Sequence, residues 1–304
     1  MKWIKKGLIF GAQSRSEWMD NSALKPVPLL LGDIIRVFAA FRDKSGVSRM
    51  GYVDLNANNP SEVLNYSKEP ILDIGESGCF DDNGVVPCAI VEHEGKIYIY
   101  YSGYQLGHKV RFYFLGGLAI SEDNGLTFKK YSKVPIMERT NNEFVFRSIQ
   151  GLFYDEGKWK VYYIAGNSFF KGKTGKQLAS YNLRYMETDS LFDFSKEGVS
   201  VINPGGDEYR IGSPQIIKEG NIYKMYYCVG SEDITYQMAY AESNDGINWI
   251  RDDKKLGLDL SETGWDSEMM AYPFVLNYKD KKYMFYNGNN FGNAGFGYAV
   301  LESE

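Results

Sequence analysis

Residues 97–102 read IYIYYS, an aliphatic and aromatic stretch that ends in a tyrosine pair and a serine. Related phrases stand at 35–41 (IRVFAAF), 159–164 (WKVYYI), 223–228 (YKMYYC) and 282–287 (KYMFYN). Their central aromatic residues are separated by steps of about 62, 62, 64 and 59 residues, a spacing typical of repeat architectures. These residues are Phe38, Tyr100, Tyr162, Tyr226 and Phe285. The chain is therefore one structural unit written five times.

Each phrase is rich in residues that favour β-strands and is preceded by turn-forming residues. Such turns stand at 93–96 (HEGK), 155–158 (DEGK), 218–221 (KEGN) and 278–281 (YKDK), and they predict hairpins. No long stretch has helical periodicity, and no Pro/Ser-rich or charged linker interrupts the repeats. The pattern predicts an all-β chain, a five-bladed β-propeller with four-stranded antiparallel blades, that forms a single domain over residues 1–304.

The two ends of the chain complement one another in this scheme. The fifth unit ends with 296–300 (FGYAV) and lacks a fourth strand, whereas 3–10 (WIKKGLIF) precedes the first inner strand and matches no element of the first unit. We therefore predict that the N-terminal strand completes the last blade and closes the ring.

Composition restricts the possible partners and cofactors. The net charge of -5 argues against a nucleic-acid or anionic-membrane partner, and predicts a small-molecule or oligosaccharide substrate instead. The apolar run near the N-terminus is too short for a signal peptide, so we expect a cytoplasmic protein. Three cysteines without metal-binding spacing and two histidines predict no metal site and no cofactor. A bound Ca²⁺ and the oligomeric state are left open.

Two short motifs predict turns between outer strands. Residues 121–128 (SEDNGLTF) match the S-x-D-x-G-x-T-aromatic pattern called an Asp box, and 243–249 (SNDGINW) are a shortened version. In such turns the Asp and Ser side chains bind nearby backbone groups while Gly adopts a positive φ. The motif therefore predicts a structural role and a propeller fold.

Prolines near the predicted inner strands provide a register for comparing the units. Pro26, Pro87, Pro214 and Pro273 occupy matching places, with Gln150 in the third unit. Ionisable residues lie a few positions upstream in every unit, namely Asp20, Asp81, Asp82, Glu143, Arg147, Glu208, Arg210, Asp266 and Glu268. Because inner strands of a propeller converge on the axis, we expect these groups and the pair Arg42-Asp43 to surround a sugar-binding pocket. For any single acid, a backbone-capping role is an alternative.

Several segments resemble the five-bladed propeller glycosidases, a group that includes arabinanases, β-xylosidases, invertase-type enzymes and mannosyl phosphorylases. The resemblance rests on the repeat count, 80–87 (FDDNGVVP), the turn at 243–249 and 265–268 (WDSE), and it spans nearly the full chain at the level of repeats. It also extends to proteins of bacterial surface-polysaccharide gene clusters.

The resemblance implies an acid and a base on opposite sides of a glycosidic bond, with a third carboxyl group that tunes the acid. Carried over to this chain, Asp20 is the base candidate, Asp82 the tuning or sugar-binding carboxylate, and Glu208 the acid, with Glu268 as its rival. The third unit departs from the pattern, because it offers Arg147 where a carboxylate would be expected.

Aromatic residues beside the acids are candidates for stacking on a sugar ring. They are Trp18, Phe80, Tyr209 and Trp265, with packing between blades as the alternative. The tyrosines of the repeated phrase are expected in the core.

Two function classes follow from the sequence. The first is a glycoside hydrolase-like enzyme, or a related phosphorylase or transferase, with paired carboxylates in the axial pocket. The alternative is a noncatalytic glycan-binding or surface-polysaccharide biosynthesis protein. A sialidase is disfavoured by the five repeats and by the lack of an arginine triad.

Overall fold

The computed structural model describes residues 1–303 and is built almost entirely of β-strands. The strands of the first half are β1 (Lys2–Phe10), β2 (Asn21–Leu31), β3 (Ile34–Arg42), β4 (Ser48–Asn56), β5 (Asn59–Tyr66), β6 (Val85–His93), β7 (Lys96–Leu106), β8 (Phe112–Ser121), β9 (Lys129–Lys130) and β10 (Phe146–Asp155). Those of the second half are β11 (Lys158–Lys171), β12 (Gln177–Thr188), β13 (Val199–Ile202), β14 (Arg210–Glu219), β15 (Ile222–Gly230), β16 (Gln237–Ser243), β17 (Ile250–Arg251), β18 (Ala271–Tyr278), β19 (Lys281–Asn287) and β20 (Phe296–Ser303). A 3₁₀-helix spans Asp253–Leu256, and a short helical turn spans Asn289–Gly292.

Most strands pair with their sequence neighbours in antiparallel hairpins. Two sheets have the orders β2-β3-β4-β5 and β6-β7-β8-β9. A third sheet joins the meanders β10 to β13 and β14 to β17 through one parallel pair, Tyr181 with Arg210. The remaining sheet has the order β1-β20-β19-β18, so the N-terminal strand lies beside the C-terminal one. The all-β class and the four-stranded antiparallel units predicted from the repeats are confirmed.

The predicted hairpin turns owe their shape to left-handed backbone conformations. Between β6 and β7, Glu94 has φ 49° and Gly95 has φ 74°. The turn between β10 and β11 repeats this geometry at Glu156 and Gly157. Two successive positive φ values give the type I′ turn that matches the twist of paired strands.

The repeated aromatic phrase forms the second strand of each unit and is buried, as predicted. The five central residues, Phe38, Tyr100, Tyr162, Tyr226 and Phe285, are all at most 1% exposed. They belong to apolar clusters that lie between neighbouring sheets, since residues from two or more units contribute to each. Burial of one such ring stabilises the fold by about 2–3 kcal/mol. Within residues 1–303, no helix has the length and apolarity that crossing a membrane requires.

The Asp box forms the predicted turn around the carboxylate of Asp123. Its Oδ1 accepts hydrogen bonds from Ser121 Oγ at 2.6 Å and from the amides of Leu126 and Thr127 at 3.0 and 2.9 Å. Thr127 Oγ1 donates to Oδ2 at 2.6 Å. Partial burial acts to raise the pKa of Asp123, but these hydrogen bonds outweigh it and lower the pKa to about 2.

Replacing Asp123 by Ala is expected to lower the free energy of unfolding by about 1–3 kcal/mol at pH 7, because two amides and two hydroxyls lose their acceptor. The folded pKa lies below the unfolded value of about 3.9, so the contribution is complete above pH 4 and is lost as pH falls toward 2. Urea unfolding of both proteins at pH 7 and pH 3 measures this. Glu122→Ala, at an exposed neighbour, is the control; an equal loss at both pH values would contradict the prediction.

Candidate functional site

Five strands, β2, β6, β10, β14 and β18, are each interrupted by a bulge. The pairing of the inner strand with its neighbour skips 25–26 in β2, 88 in β6, 150 in β10, 213–214 in β14 and 272–273 in β18. All of these residues line one cavity, which we call the central cavity. Pro26, Pro214 and Pro273 therefore lie in bulges inside the strands, where no ladder hydrogen bond is required of them, whereas Pro87 directly precedes its bulge and pairs with Tyr101.

Three bulge residues that precede a proline hold strained backbones. Lys25, Ser213 and Tyr272 have φ values of 57°, 51° and 58°. Such values are uncommon for residues other than glycine, and they concentrate at functional sites. The bulges thus direct side chains toward the centre at a cost in backbone energy.

A polar network crosses the floor of the central cavity from the first unit to the third. Lys25 Nζ donates to Gln150 Oε1, and Gln150 Nε2 donates to Ser148 Oγ at 3.1 Å and to Cys88 Sγ at 3.4 Å. Ser102 Oγ extends the network to Ser148 Oγ at 2.8 Å. Lys25, Gln150 and Ser148 are all buried. This network joins three units through side chains.

Aromatic side chains surround Arg210 beside the cavity. The Arg210 guanidinium lies 4.1 Å from the ring centroid of Tyr236 and 4.9 Å from that of Tyr209. The Tyr236 ring contacts Tyr272, which lines the cavity, at 5.7 Å. Burial raises the pKa values of Tyr236 and Tyr272, so both remain neutral hydrogen-bonding groups at physiological pH.

Three of the aligned acids are buried partners of the second tyrosine in the repeated phrase. Tyr101 OH donates to Asp81 at 2.9 Å, Tyr163 OH to Glu143 at 2.8 Å and Tyr286 OH to Asp266 at 3.0 Å, each across 20 residues of sequence. The three carboxylates are at most 2% exposed. The three acids therefore align in the sequence because each accepts an equivalent hydrogen bond within its own unit.

A cation lies against each of these acids. Lys130 of β9 lies 2.6 Å from Asp81, and Lys5 of β1 lies 2.7 Å from Asp266. Glu143 is ion-paired with Arg147 and, at 2.6 Å, with Arg184. Arg147 is fully buried, and it also donates to three backbone carbonyls, those of Glu138, Phe194 and Lys196. These contacts satisfy Arg147 within the fold, and its predicted role in substrate binding stays a prediction.

Glu208, the first candidate for the catalytic acid, is held by an arginine. Arg251 donates to both carboxylate oxygens at 2.9 Å, and the Gly205 amide donates at the same distance. Burial acts to raise the pKa of Glu208, but the Arg251 hydrogen bonds outweigh it and the pKa lies below its usual value. A general acid must carry a proton near neutral pH, so this environment opposes that role.

The other three predicted catalytic carboxylates make weaker contacts. Asp20 accepts from Ser14 Oγ at 3.1 Å and from Asn21 Nδ2 at 3.4 Å, and Asp82 accepts from the Gly78 amide at 2.8 Å. Glu268 is exposed. Within residues 1–303, none of these three acids forms an ion pair, which distinguishes them from Glu208.

Backbone contacts connect the segments that carry Asp20 and Asp82. The Asp20 amide donates to the Arg42 carbonyl at 2.9 Å, Arg42 pairs with Ser48, and Ser48 forms an isolated bridge with Gly84. Asp20 and Asp82 thus lie at the same end of adjacent sheets.

The segment that carries Glu268 borders the first unit on its other side. Asn289 Oδ1 accepts from the Glu268 amide at 2.8 Å, and Asn287, two residues earlier, accepts from the Lys25 amide at 2.6 Å. Glu268, Asp20 and Asp82 therefore stand on segments that border neighbouring sheets, and none of them lines the central cavity.

The remaining predicted binding residues have contacts that account for their positions. Trp18, Phe80 and Trp265 pack on Phe41, Tyr101 and Tyr286, with ring centroids 5.6, 6.0 and 5.0 Å apart. Tyr209 contacts Phe170 at 5.3 Å. Asp43 caps its own turn by accepting from Ser45 and Val47, and it pairs with Arg49 at 2.8 Å. Sugar stacking by the aromatic residues and sugar binding by Arg42 and Asp43 stay predictions.

The side chains on the bulges are candidates that the register of acids does not indicate. The acids lie several positions upstream of each proline, whereas Lys25, Ser213 and Tyr272 immediately precede one and Gln150 replaces one. A residue before proline is restricted in backbone conformation, and this restriction was an available signal. What such a residue contacts depends on the opposite units, which lie far away in the sequence.

The fold is that of the glycosidase-like β-propellers. The protein superposes on a solved glycoside hydrolase with a TM-score of 0.74 and 17% sequence identity, which covers 98% of this protein and 90% of that enzyme. A thermostable family-43 glycoside hydrolase gives a TM-score of 0.65 at 16% identity, which covers 92% of this protein and 88% of that enzyme. No model of an established protein family matches the sequence.

Among curated proteins, the sequence is 30% identical over 305 residues to the uncharacterized protein Rv1502 of Mycobacterium tuberculosis strain H37Rv, and the match covers 100% of both proteins. The uncharacterized protein MT1551 of strain CDC 1551 is equally similar. The present protein belongs to the same family as these mycobacterial proteins.

Proposed function

We propose that the protein is a carbohydrate-active enzyme that acts on a glycosidic bond of an oligosaccharide or a small glycoside. The observation that supports the proposal is that Glu268, Asp20 and Asp82, three carboxylates without ion pairs, stand on segments that border neighbouring sheets. Carboxylates free of cations are suited to acid and base chemistry at a glycosidic bond. The similarity to glycoside hydrolases supports the fold on which this chemistry would take place.

The proposed architecture is one domain, a five-bladed ring closed by β1. In support of five blades, the joined sheet contains two complete meanders that share a single parallel pair, and five bulges line the central cavity. In support of the closure, β1 pairs along β20 from Lys2 to Phe10. The joined sheet then counts as two blades.

Within this scheme Asp20 is the base, Asp82 tunes the acid or binds the sugar, and Glu268 is the acid. Glu268 replaces Glu208 in that role because Arg251 stabilises the ionised form of Glu208. An exposed carboxyl group without a cation can take up a proton when substrate covers it, since desolvation favours the neutral form.

A noncatalytic protein that binds a glycan or serves surface-polysaccharide biosynthesis is the second candidate. The residues that line the central cavity, all within the described part of the protein, include no carboxylate. Hydrolysis requires carboxyl groups beside the glycosidic bond, so a cavity lined by Lys25, Gln150 and Tyr272 supports a protein without turnover.

A panel of aryl glycosides and sugar phosphates tests the two candidates, with analysis of the products to distinguish hydrolysis, phosphorolysis and transfer. Asp20→Asn and Glu268→Gln are expected to lower kcat/KM by about 10²–10⁴-fold, the usual contribution of a general acid or base. If Asp82 tunes the acid, Asp82→Asn is expected to move the alkaline limb of the pH profile to lower pH, because the acid loses its proton more easily without a neighbouring carboxylate. Circular dichroism and melting temperatures check that the variants are folded.

Glu208→Gln is the matched control, since it breaks the Arg251 pair and should reduce stability while kcat/KM stays within about tenfold of the original value. Turnover that survives Asp20→Asn and Glu268→Gln but disappears in Glu208→Gln would reverse the assignment. Glycan binding without turnover in any protein would favour the noncatalytic candidate.

A further inference from the structure

A second cavity, which we call the outer cleft, lies beside the shortened Asp box of the fourth unit and has a volume of about 410 Å³. The turn from β16 to β17 forms one wall, from Asn244 to Ile250, and Ser200 and Val201 of β13 form the other. The outer cleft shares no residue with the central cavity. Sites for small molecules usually have volumes of about 300–1,000 Å³, so the outer cleft is large enough for a ligand.

The two Asp boxes make equivalent contacts with the unit before them. Phe128 packs edge to face on Phe38, and Trp249 on Tyr162, with ring centroids 5.5 and 6.0 Å apart. In the second unit, the Phe128 amide also donates to the Ile71 carbonyl at 3.0 Å. The Trp249 amide makes no hydrogen bond within residues 1–303. The outer cleft therefore lies at a place that the second unit fastens with a backbone hydrogen bond.

The indole ring of Trp249 is held in one orientation at this cleft. Its Nε1 donates to the Gly246 carbonyl at 2.9 Å. Tyr162, which is fully buried, contacts the indole and donates to the same carbonyl at 2.8 Å. Trp249 is itself only partly buried. A ligand in the outer cleft thus meets an aromatic surface that is already oriented, which lowers the entropic cost of binding.

The hydrogen-bonding groups open to a ligand in the outer cleft are neutral. Asp245 is the one charged residue among the described lining residues, and its carboxylate is engaged by its own turn. Oδ1 accepts from the amides of Asn248 and Ile247 at 2.7 and 2.8 Å, and Oδ2 accepts from Asn248 Nδ2 at 2.7 Å. These hydrogen bonds hold the pKa of Asp245 well below its usual value. The exposed Asn244 side chain has no hydrogen bond within residues 1–303, so its amide is available.

Two aliphatic side chains of the same wall are exposed to water. Ile247 is 39% exposed, and Ile250, at 76%, is the most exposed large apolar side chain within residues 1–303. Covering such surface is favourable. The outer cleft therefore combines an oriented aromatic ring, aliphatic surface and neutral hydrogen-bonding groups.

We propose that the outer cleft is a second binding site, one that holds a neutral saccharide. A sugar ring has apolar C–H faces, which suit Trp249 and the isoleucines, and hydroxyl groups, which suit the Asn244 amide. An anionic sugar is disfavoured, because the lining residues include Asp245 and no cation. This site goes beyond the proposed function, since none of the candidate catalytic carboxylates lines it.

Fluorine NMR of the full-length protein labelled with 5-fluorotryptophan tests this site, because the five tryptophans report separately. Trp249→Phe assigns the Trp249 resonance and should fold, since Phe128 occupies the equivalent place in the second unit. At least one of maltotriose, xylotriose and mannotriose is expected to shift this resonance saturably, whereas glucuronate is not. Asn244→Ala is expected to weaken the binding by about fivefold or more. Glu122→Ala, at the equivalent position of the other Asp box, is the matched control and should leave it unchanged.

Three results would overturn the proposal. They are a Trp249 resonance that no saccharide moves, an equal shift with glucuronate, and a shift that depends on protein concentration alone, which would assign the outer cleft to a second copy of the chain. Binding at Trp249 that persists in Asp20→Asn and Glu268→Gln would support a site separate from the catalytic one. Binding without turnover would support this site and contradict only the enzymatic proposal.

Discussion

Removal of residues 1–10 is expected to lower the free energy of unfolding by more than about 5 kcal/mol, a large part of what holds a domain folded. The deletion removes all of β1, and with it the buried side chains of Trp3 and Phe10, each worth about 3–5 kcal/mol. It also leaves Asp266 buried without Lys5, and β20 with an unpaired edge. Urea unfolding followed by circular dichroism measures the loss.

Lys2→Ala with Lys6→Ala is the matched control, because both side chains are exposed on the same strand and β1 remains paired. A synthetic peptide of residues 1–10 should restore stability to the truncated protein in a concentration-dependent manner, as mass action requires. An unchanged melting temperature after truncation would reject closure of the ring by β1.

Glu143→Gln is expected to lower the free energy of unfolding by about 3–5 kcal/mol, because it leaves the buried guanidinium of Arg147 without its counter-charge. Glu143 is 1% exposed and is bound by Arg147, Arg184 and Tyr163. Burial raises the pKa of Tyr163 to about 12, so its hydroxyl remains a donor to position 143 throughout the neutral range. Urea unfolding at pH 7 measures the effect.

The control for Glu143→Gln is Glu138→Gln, since Glu138 pairs with Arg139 at the surface and an exposed pair contributes about 0–1 kcal/mol. Equal effects of the two substitutions would show that Glu143 is not the structural centre of its unit. If Glu143→Gln lowered glycan binding while stability stayed constant, the acid would instead belong to the site.

The contacts of the aligned acids were only partly predictable from the sequence. The register that aligned Asp81, Glu143 and Asp266 corresponds to a repeated contact, since each accepts a hydrogen bond from the tyrosine 20 residues later, whereas their place in a sugar-binding pocket stays a prediction. The cations that neutralise them could not be anticipated. Lys5 is more than 250 residues from Asp266 in the sequence, and only the pairing of β1 with β20 brings them into contact.

Which candidate carboxylates form ion pairs and which do not could likewise be decided only from the tertiary structure. In the sequence, Glu208 and Glu268 were rivals for one role. Arg251 separates them by binding Glu208, and no spacing rule connects residues 43 positions apart in different strands. The central cavity shows the same limitation, because Lys25 and Gln150 come from different sheets and lie 125 residues apart in the sequence.

By itself, the sequence determined the unit and its repetition. Short stretches of consecutive residues determine the aromatic strands, the type I′ turns and the Asp box. Five similar units could therefore be recognised from the sequence alone. Only the tertiary structure decided which ionisable groups are neutralised in the core and which face the cavity. Charge interactions depend on distance and burial, and these are set by contacts between strands that are distant in the sequence.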